Sequence, residues 1–275
     1  MILKAGDKGP DVTRLQKALA SAGYTLEQDG IYGEKTASAV IAQQRKHGLV
    51  VDGIYGPKTA LTLQIGADTR QLLTQADMQQ AADRLGVPVA AVMAVSSVES
   101  AGTGFDQHGR PRILFERHVF RQRLQKAGLP ANELKLLEAK HPGLINKQPG
   151  GYQGGSLEWQ RLDSAKRIHS AAAQESASWG LYQIMGYHWQ HLGYASISEF
   201  VEQMRSGEAA QLDAFVRFIE ADKNLHKALQ AQKWADFAKR YNGPNYAQNL
   251  YDVKMARAFE QFSQLHPAPE PDATA

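Results

Sequence analysis

Twelve consecutive residues, Val87 to Val98 (VPVAAVMAVSSV), carry no formal charge, and the run ends on Glu99. As an α-helix such a run is about 18 Å long, well under the ~20 residues a bilayer needs. A helix that is apolar all round belongs inside protein, so a buried core helix is expected here. Pro88 suits its first position, where a missing N–H is an orphan anyway. Glu99 then falls at the C-terminal end, facing the negative pole of the helix dipole, and partial burial would disfavour its ionised form as well. Both effects push its pKa up, which is what a general acid near neutral pH requires. On position alone, an ordinary exposed residue at a helix end is the better reading of Glu99.

A chain of 275 residues has room for about two domains. Its 43% apolar and 21% charged residues are those of an ordinary globular protein. With no cysteine, disulfide staples, thiolate nucleophiles and zinc–thiolate sites are excluded. A net charge of +3 without a dense basic stripe argues against nucleic acid as partner and is compatible with an anionic wall polymer. The N-terminal stretch MILKAGDKGPDVTRL has no apolar core of the secretory type, so no leader is expected, and no membrane insertion either.

The first 66 residues contain a repeat: DGIYGEKTA from Asp29 and DGIYGPKTA from Asp52, 23 residues apart. Each Asp-Gly and the following Gly mark a turn, and Lys-Thr-Ala opens a helix. Leu15, Leu19 and Tyr24 precede the first copy at helical spacing, and Ala37, Val40 and Ile41 continue the apolar face of a second helix. The expectation is a three-helix module with two matching loops. Ile31, Tyr32, Ile54 and Tyr55 are either core residues tying those loops down or the aromatics of a shallow saccharide groove.

Residues 1–66 resemble the peptidoglycan-binding module of bacterial and phage wall hydrolases. The family's first helix matches Val12, Leu15, Gln16 and Leu19, and its Asp-Gly-x-aromatic-Gly-x-x-Thr signature is present twice. The resemblance implies wall binding, with Asp29, Tyr32, Asp52 and Tyr55 as the residues that would carry it.

Residues 67–76 read as a linker and 77–265 as a second domain. Helices are expected over Gln75–Leu85, Val119–Ala127, Ala131–Ala139, Leu157–Ala173, Ser196–Gly207, Ala209–Ala221, Leu225–Gln230, Trp234–Tyr241 and Asn245–Gln264. Phe105 to Phe115, with Gln107-His108-Gly109-Arg110-Pro111 in its middle, reads as a β-hairpin that would bring Asp106 and Glu116 near Glu99. Two carboxylates flanking a cleft are the minimum for glycoside hydrolysis. The Gly- and Pro-rich stretch His141–Gly155 reads as a groove wall or a surface excursion. In Ser176–Gly186 the small residues allow backbone to approach a ligand, and Trp179 and Tyr182 are either sugar platforms or core. The tail from 266 has no apolar face and is expected to be disordered.

Glu99-Ser100, Gly180-Leu181-x-Gln183-Ile184 and Tyr241-Asn242-Gly243 resemble, in order, the spaced motifs of the goose-type lysozyme and lytic transglycosylase superfamily. More narrowly, ESAGTGF, LFERHVF, SWGLYQIMG, FVRFI and YNGPNY resemble the N-acetylmuramidase domain of modular phage endolysins over about residues 77–262. The resemblance implies a mainly α fold: the three-helix module followed by a lysozyme-like α+β domain with a small β-hairpin. It implies cleavage of the β-1,4 bond between N-acetylmuramic acid and N-acetylglucosamine, without metal or cofactor. Glu99 would be the general acid, Glu116 the base or electrostatic partner with Asp106 in reserve, and Ser178, Trp179, Gln183, Tyr241 and Asn242 the glycan contacts. Asn242 meets Gly243 directly, where the transglycosylase pattern has a further residue, and this leans the reading towards hydrolysis.

A lytic transglycosylase, a zinc amidase or peptidase using His188 and His191, and a non-catalytic wall binder are the alternatives. As in phage endolysins, the resemblance implies a monomer that acts on peptidoglycan glycan strands. It would be held in the host cytoplasm until a holin opens the way to the periplasm and cell wall.

Overall fold

The computed structural model describes residues 1–64, 68–100 and 102–267. The expected linker begins, and the expected tail from 268 onward lies, outside the described residues. In chain order the helices are α1 (Pro10–Ser21), α2 (Glu34–Lys46), α3 (Pro57–Thr62), α4 (Gln75–Leu85), α5 (Val89–Glu99), α6 (Arg117–Lys126) and α7 (Ala131–Lys140). They continue with α8 (Leu157–Lys166), α9 (Ser170–Glu175), α10 (Ile197–Ser206), α11 (Glu208–Ala221), α12 (Lys223–Gln230), α13 (Trp234–Asn242) and α14 (Tyr251–Leu265). Three short strands, β1 (Ile113–Phe115), β2 (Ala177–Trp179) and β3 (Ile184–Met185), complete the list. The residues group into two units, 1–103 with 222–275, and 104–221.

In the first unit, α1 to α3 enclose a small core of Val12, Leu15, Leu19, Tyr32 and Val40. The repeat has a polar cause. Gln16 Nε2 donates to Asp29 Oδ1 (2.8 Å), the Ile31 carbonyl (3.0 Å) and Thr36 Oγ1 (3.1 Å), while its Oε1 accepts the Gly30 N–H (2.9 Å). Gln44 does the same to Asp52 (2.6 Å), Ile54 (3.1 Å), Thr59 (3.2 Å) and Gly53 N–H (3.0 Å). One buried glutamine thus satisfies both ends of each Asp-Gly loop, which is how a loop can lie against a core without orphaned polar groups.

Helix α4 is fixed at both ends: Thr74 and Asp77 form a reciprocal capping box, and Gly86 closes it in the left-handed conformation at φ 64°. The Leu85 carbonyl accepts from Gln230 Nε2 at 3.0 Å, and His226 Nε2 lies 2.7 Å from it. Helix α5 is buried from Ala90 to Ser96 and packs against α4 and α14, whose Met255 and Phe262 are buried. Burying Val92, Met93 and Val95 contributes about 1.5–3 kcal/mol each. Pro88 is the residue before the helix, extended at ψ 144°, rather than its first turn. The last helix starts at Tyr251, not Asn245: Pro244–Asn249 form a 3-10 helix and Leu250, at φ 53°, turns the chain between them.

In the second unit the sheet is antiparallel in the order β1-β2-β3, with Leu114 opposite Ser178 and Ser178 opposite Met185. The hairpin expected over Phe105–Phe115 is a single bridge, Phe105 with Pro111, and Ile113–Phe115 pairs instead with Ala177–Trp179. Asp106 explains the shortfall, since its carboxylate accepts from His108 N, Arg110 N and the Arg110 guanidinium, closing a tight turn instead of a ladder. Gly180 (φ 70°) and Gly104 press on buried Gln211: a Cβ on Gly180 would come within 2.6 Å of its Cδ, and one on Gly104 within 2.0 Å of its Oε1. The helix expected over Leu157–Ala173 is two, because His169 turns extended and its Nδ1 accepts the Ala172 N–H to start α9.

Candidate active site

Glu99 is the last residue of α5, half-buried, and Asn242 Nδ2 donates to its Oε1 at 2.7 Å. Asn242 is the last residue of α13, followed by Gly243 at φ 81°, and Tyr241 beside it stacks on Phe237 at 5.9 Å and 10°. Two motifs 143 residues apart therefore meet on one carboxylate. Burial raises the Glu99 pKa above the ordinary carboxylate value, and the Asn242 amide offsets part of that rise. The helix end adds to the rise. An acid with these neighbours keeps its proton further towards neutral pH than an exposed glutamate does.

Glu116, in the second unit, sits at the N-terminal cap position of α6. Tyr152 donates its hydroxyl to Glu116, at 2.8 Å from Oε2 and 3.0 Å from Oε1. His118 Nδ1 is 3.3 Å from Oε2 without a hydrogen bond. Tyr152 comes from the Gly- and Pro-rich stretch, which Arg117 ties down through the Gln148 (2.9 Å) and Pro149 (2.9 Å) carbonyls. Asp106 is committed to its own turn: burial would raise its pKa, but Arg110 and the backbone N–H groups outweigh it and hold it low.

The Ser178–Gln183 pair is a local brace. Ser178 Oγ donates to Gln183 Oε1 at 2.7 Å, and Gln183, at φ 51°, donates back to the Gly180 carbonyl at 2.7 Å. Gln183 is exposed and available to a ligand, whereas Ser178 is buried. Trp179 corrects the expectation of a sugar platform. It is 1% exposed, its indole N–H donates to the Gln174 carbonyl, and its ring meets Trp159 edge-on at 5.8 Å. Tyr182 is likewise core, stacked on Phe215 at 4.4 Å.

In the module Tyr32 is also core, 1% exposed, and its hydroxyl donates to the Gly53 carbonyl, so one copy of the repeat is pinned to the other. Asp29 and Asp52 hold their loops through Gln16 and Gln44. Asp29 is held low by Gln16 and the Ile31 N–H, while burial raises Asp52. Tyr55 is half-buried and pairs through its backbone with Leu3.

His188 packs edge-on to Phe218, and burial lowers its pKa, with His191 adding to that. The helix that would have put both on one face is a 3-10 turn over Gly186–His188, and no group of three or more metal-ligating side chains occurs among the described residues. Sequence reasoning missed one cluster. Glu158 and Arg161 form a buried ion pair at 2.6 Å, visible in sequence only as an acid and a base three apart on a helix, a pattern that is usually solvent-facing.

Two family models match the chain: N-acetylmuramidase over residues 88–263, and a peptidoglycan binding domain over residues 8–63. No curated protein matches it. Among solved structures, the crystal structure of the Burkholderia AP3 phage endolysin is similar at a TM-score of 0.90 and 52% identity. That match covers 96% of this chain and 100% of the other. The chain therefore belongs to the N-acetylmuramidase family, as a glycoside hydrolase of the modular endolysin type with a peptidoglycan-binding domain ahead of the catalytic one.

Proposed function

We propose that Glu99 is the general acid that protonates the glycosidic oxygen between N-acetylmuramic acid and N-acetylglucosamine. The observation that carries this reading is the Asn242–Glu99 hydrogen bond at the end of a buried helix. As the bond breaks, positive charge grows on the sugar ring and the leaving oxygen needs a proton. A half-buried carboxyl with a raised pKa supplies that proton, and the amide fixes which oxygen faces the substrate. Glu116, oriented by Tyr152, is the partner that activates water or balances the ring's charge, and Gln183, Tyr241 and Asn242 contact the glycan.

In this reading residues 67–76 link the binding module to the catalytic domain, and the protein works as a monomer. It is made in the host cytoplasm, reaches the periplasm and wall after a holin lesion, and releases phage by lysis. Wall association falls to the repeat loops through Asp29, Asp52 and Tyr55.

The test is digestion of purified peptidoglycan followed by mass spectrometry of the soluble products before and after borohydride reduction. N-acetylmuramic ends that gain two hydrogens on reduction are the expected result. Products about 20 Da lighter that resist reduction mean the muramic 6-hydroxyl, not water, attacks, and would remove Glu116's role as a water activator.

A further inference from the structure

The first unit contains a cavity of about 350 Å³, a volume suited to a small ligand, between the second repeat loop and the end of α5. Lys4, Asp7, Asp52 and Lys58 line it from the module, Ser97 from α5 and Ser100 from the cap that follows it. Its apolar floor includes Met78 and Met93. The two carboxylates are fixed in place: Asp7 accepts the Lys4 N–H at 2.8 Å, and Asp52 accepts Gln44 Nε2 at 2.6 Å and the Ile54 N–H at 2.8 Å. Lys4 and Lys58 bring two ammonium groups to the same walls.

Those walls select a ligand class. Sugar-binding grooves commonly offer an exposed aromatic face, and the lining aromatic here is Phe262, 2% exposed and embedded in α14's packing. What fits instead is a short body with small alkyl groups that carries both carboxylates and an ammonium. In peptidoglycan that description belongs to the peptide stem, with its alanine methyls and its diamino acid, and not to the glycan.

We propose that this cavity is a subsite for the peptide stem of peptidoglycan, shared by the second repeat loop and the helix that carries Glu99. Ser97 lies on α5 and Ser100 is its C-cap, on the face that the cavity adjoins, with Glu99 between them in the chain. A stem seated on that face is anchored to the same rigid element as the acid, so wall binding and orientation of the attached glycan share one support. The inference rests on the reading above that the module and Glu99 act on one polymer.

The experiment uses the full chain carrying E99Q and the sugar-free tetrapeptide L-Ala-γ-D-Glu-meso-diaminopimelyl-D-Ala, titrated by calorimetry. Saturable binding is expected. The charge reversals K4E and K58E together should weaken it at least tenfold, and Ser97→Trp, which fills the cavity from the helix side, should abolish it, with circular dichroism confirming the fold of each variant. Binding of peptide-free glycan strands but not the tetrapeptide would overturn the assignment while leaving the wall-binding reading intact. So would tetrapeptide binding indifferent to both sets of substitutions. A chain that binds neither probe, nor intact sacculi, would overturn the wall-binding reading and the subsite with it.

Discussion

Two glutamates whose pKa burial pushes upward end in opposite states. Glu158 is 1% exposed, yet it receives N–H groups from Phe115 (3.1 Å), Gln153 (2.6 Å) and Gly154 (3.1 Å) and the Arg161 guanidinium (2.6 Å). Burial pushes its pKa up, but the Gln153 N–H, Arg161 and the other donors outweigh it, and the group is held ionised below the ordinary value. Glu99 is less buried, has the Asn242 amide as donor, and is raised. Burial does not by itself make an acid; the number of donors aimed at the carboxylate decides. The saturated glutamate is a strut that ties β1 and the 141–155 stretch to α8, and the under-satisfied one keeps its proton towards neutral pH, as the proposed general acid must.

The largest expected effect separates the two roles. E99Q should lower the rate of glycan cleavage on the order of 10²–10⁴-fold, the share general acid catalysis supplies, with the fold intact. A folded E99Q protein that clears cell walls at near-full rate would end the assignment. Arg161→Met should act on stability instead. It leaves the Glu158 charge buried without its cation, at a cost of about 3–5 kcal/mol that denaturant titration reads directly. If the variant is as stable as the parent, Glu158 takes up a proton at no cost and the contrast between the two glutamates collapses.

The same contrast shows what the sequence could tell. Glu99 was legible because it breaks a local rule at the end of an uncharged helix. Glu158 was not, since an acid and a base three apart on a helix look the same whether solvated or buried. Helices with caps written into them, such as α4 between Thr74 and Gly86 and α10 after Ser196, fall where periodicity puts them. Strands β2 and β3 are only three and two residues long and almost wholly buried, so they show no alternation and lay unseen inside a stretch read for its glycines. Trp179 and Tyr32 were ambiguous for a related reason: an aromatic beside a glycine-rich turn serves a groove or a core equally well, and only its neighbours decide.

Asn242 sharpens the comparison at smaller scale. Its amide bonds the ionised form of Glu99, so Asn242→Ala should raise the Glu99 pKa further and move the alkaline limb of kcat/KM to higher pH. The accompanying loss in rate should stay within about tenfold, the worth of one hydrogen bond. A limb that stays in place or moves to lower pH means the amide does not govern the acid.

The smallest effect is one of stability, and its sign is fixed by linkage. The Glu99 pKa is raised in the folded chain, so the folded state binds its proton more tightly than the unfolded state does. Below the unfolded value both states are protonated and the full stability is present. As pH rises through the folded value that contribution is lost, because the folded state must hold a charge it disfavours. E99Q removes the titration, so its Tm should match the parent near pH 3 and exceed it above neutrality. For Glu158 the linkage runs the other way: its stabilisation is present above the unfolded value and lost as pH falls through the lower, folded one. A parent chain that gains stability from Glu99 on going alkaline would place Glu99 with the struts, and the acid would have to be sought elsewhere.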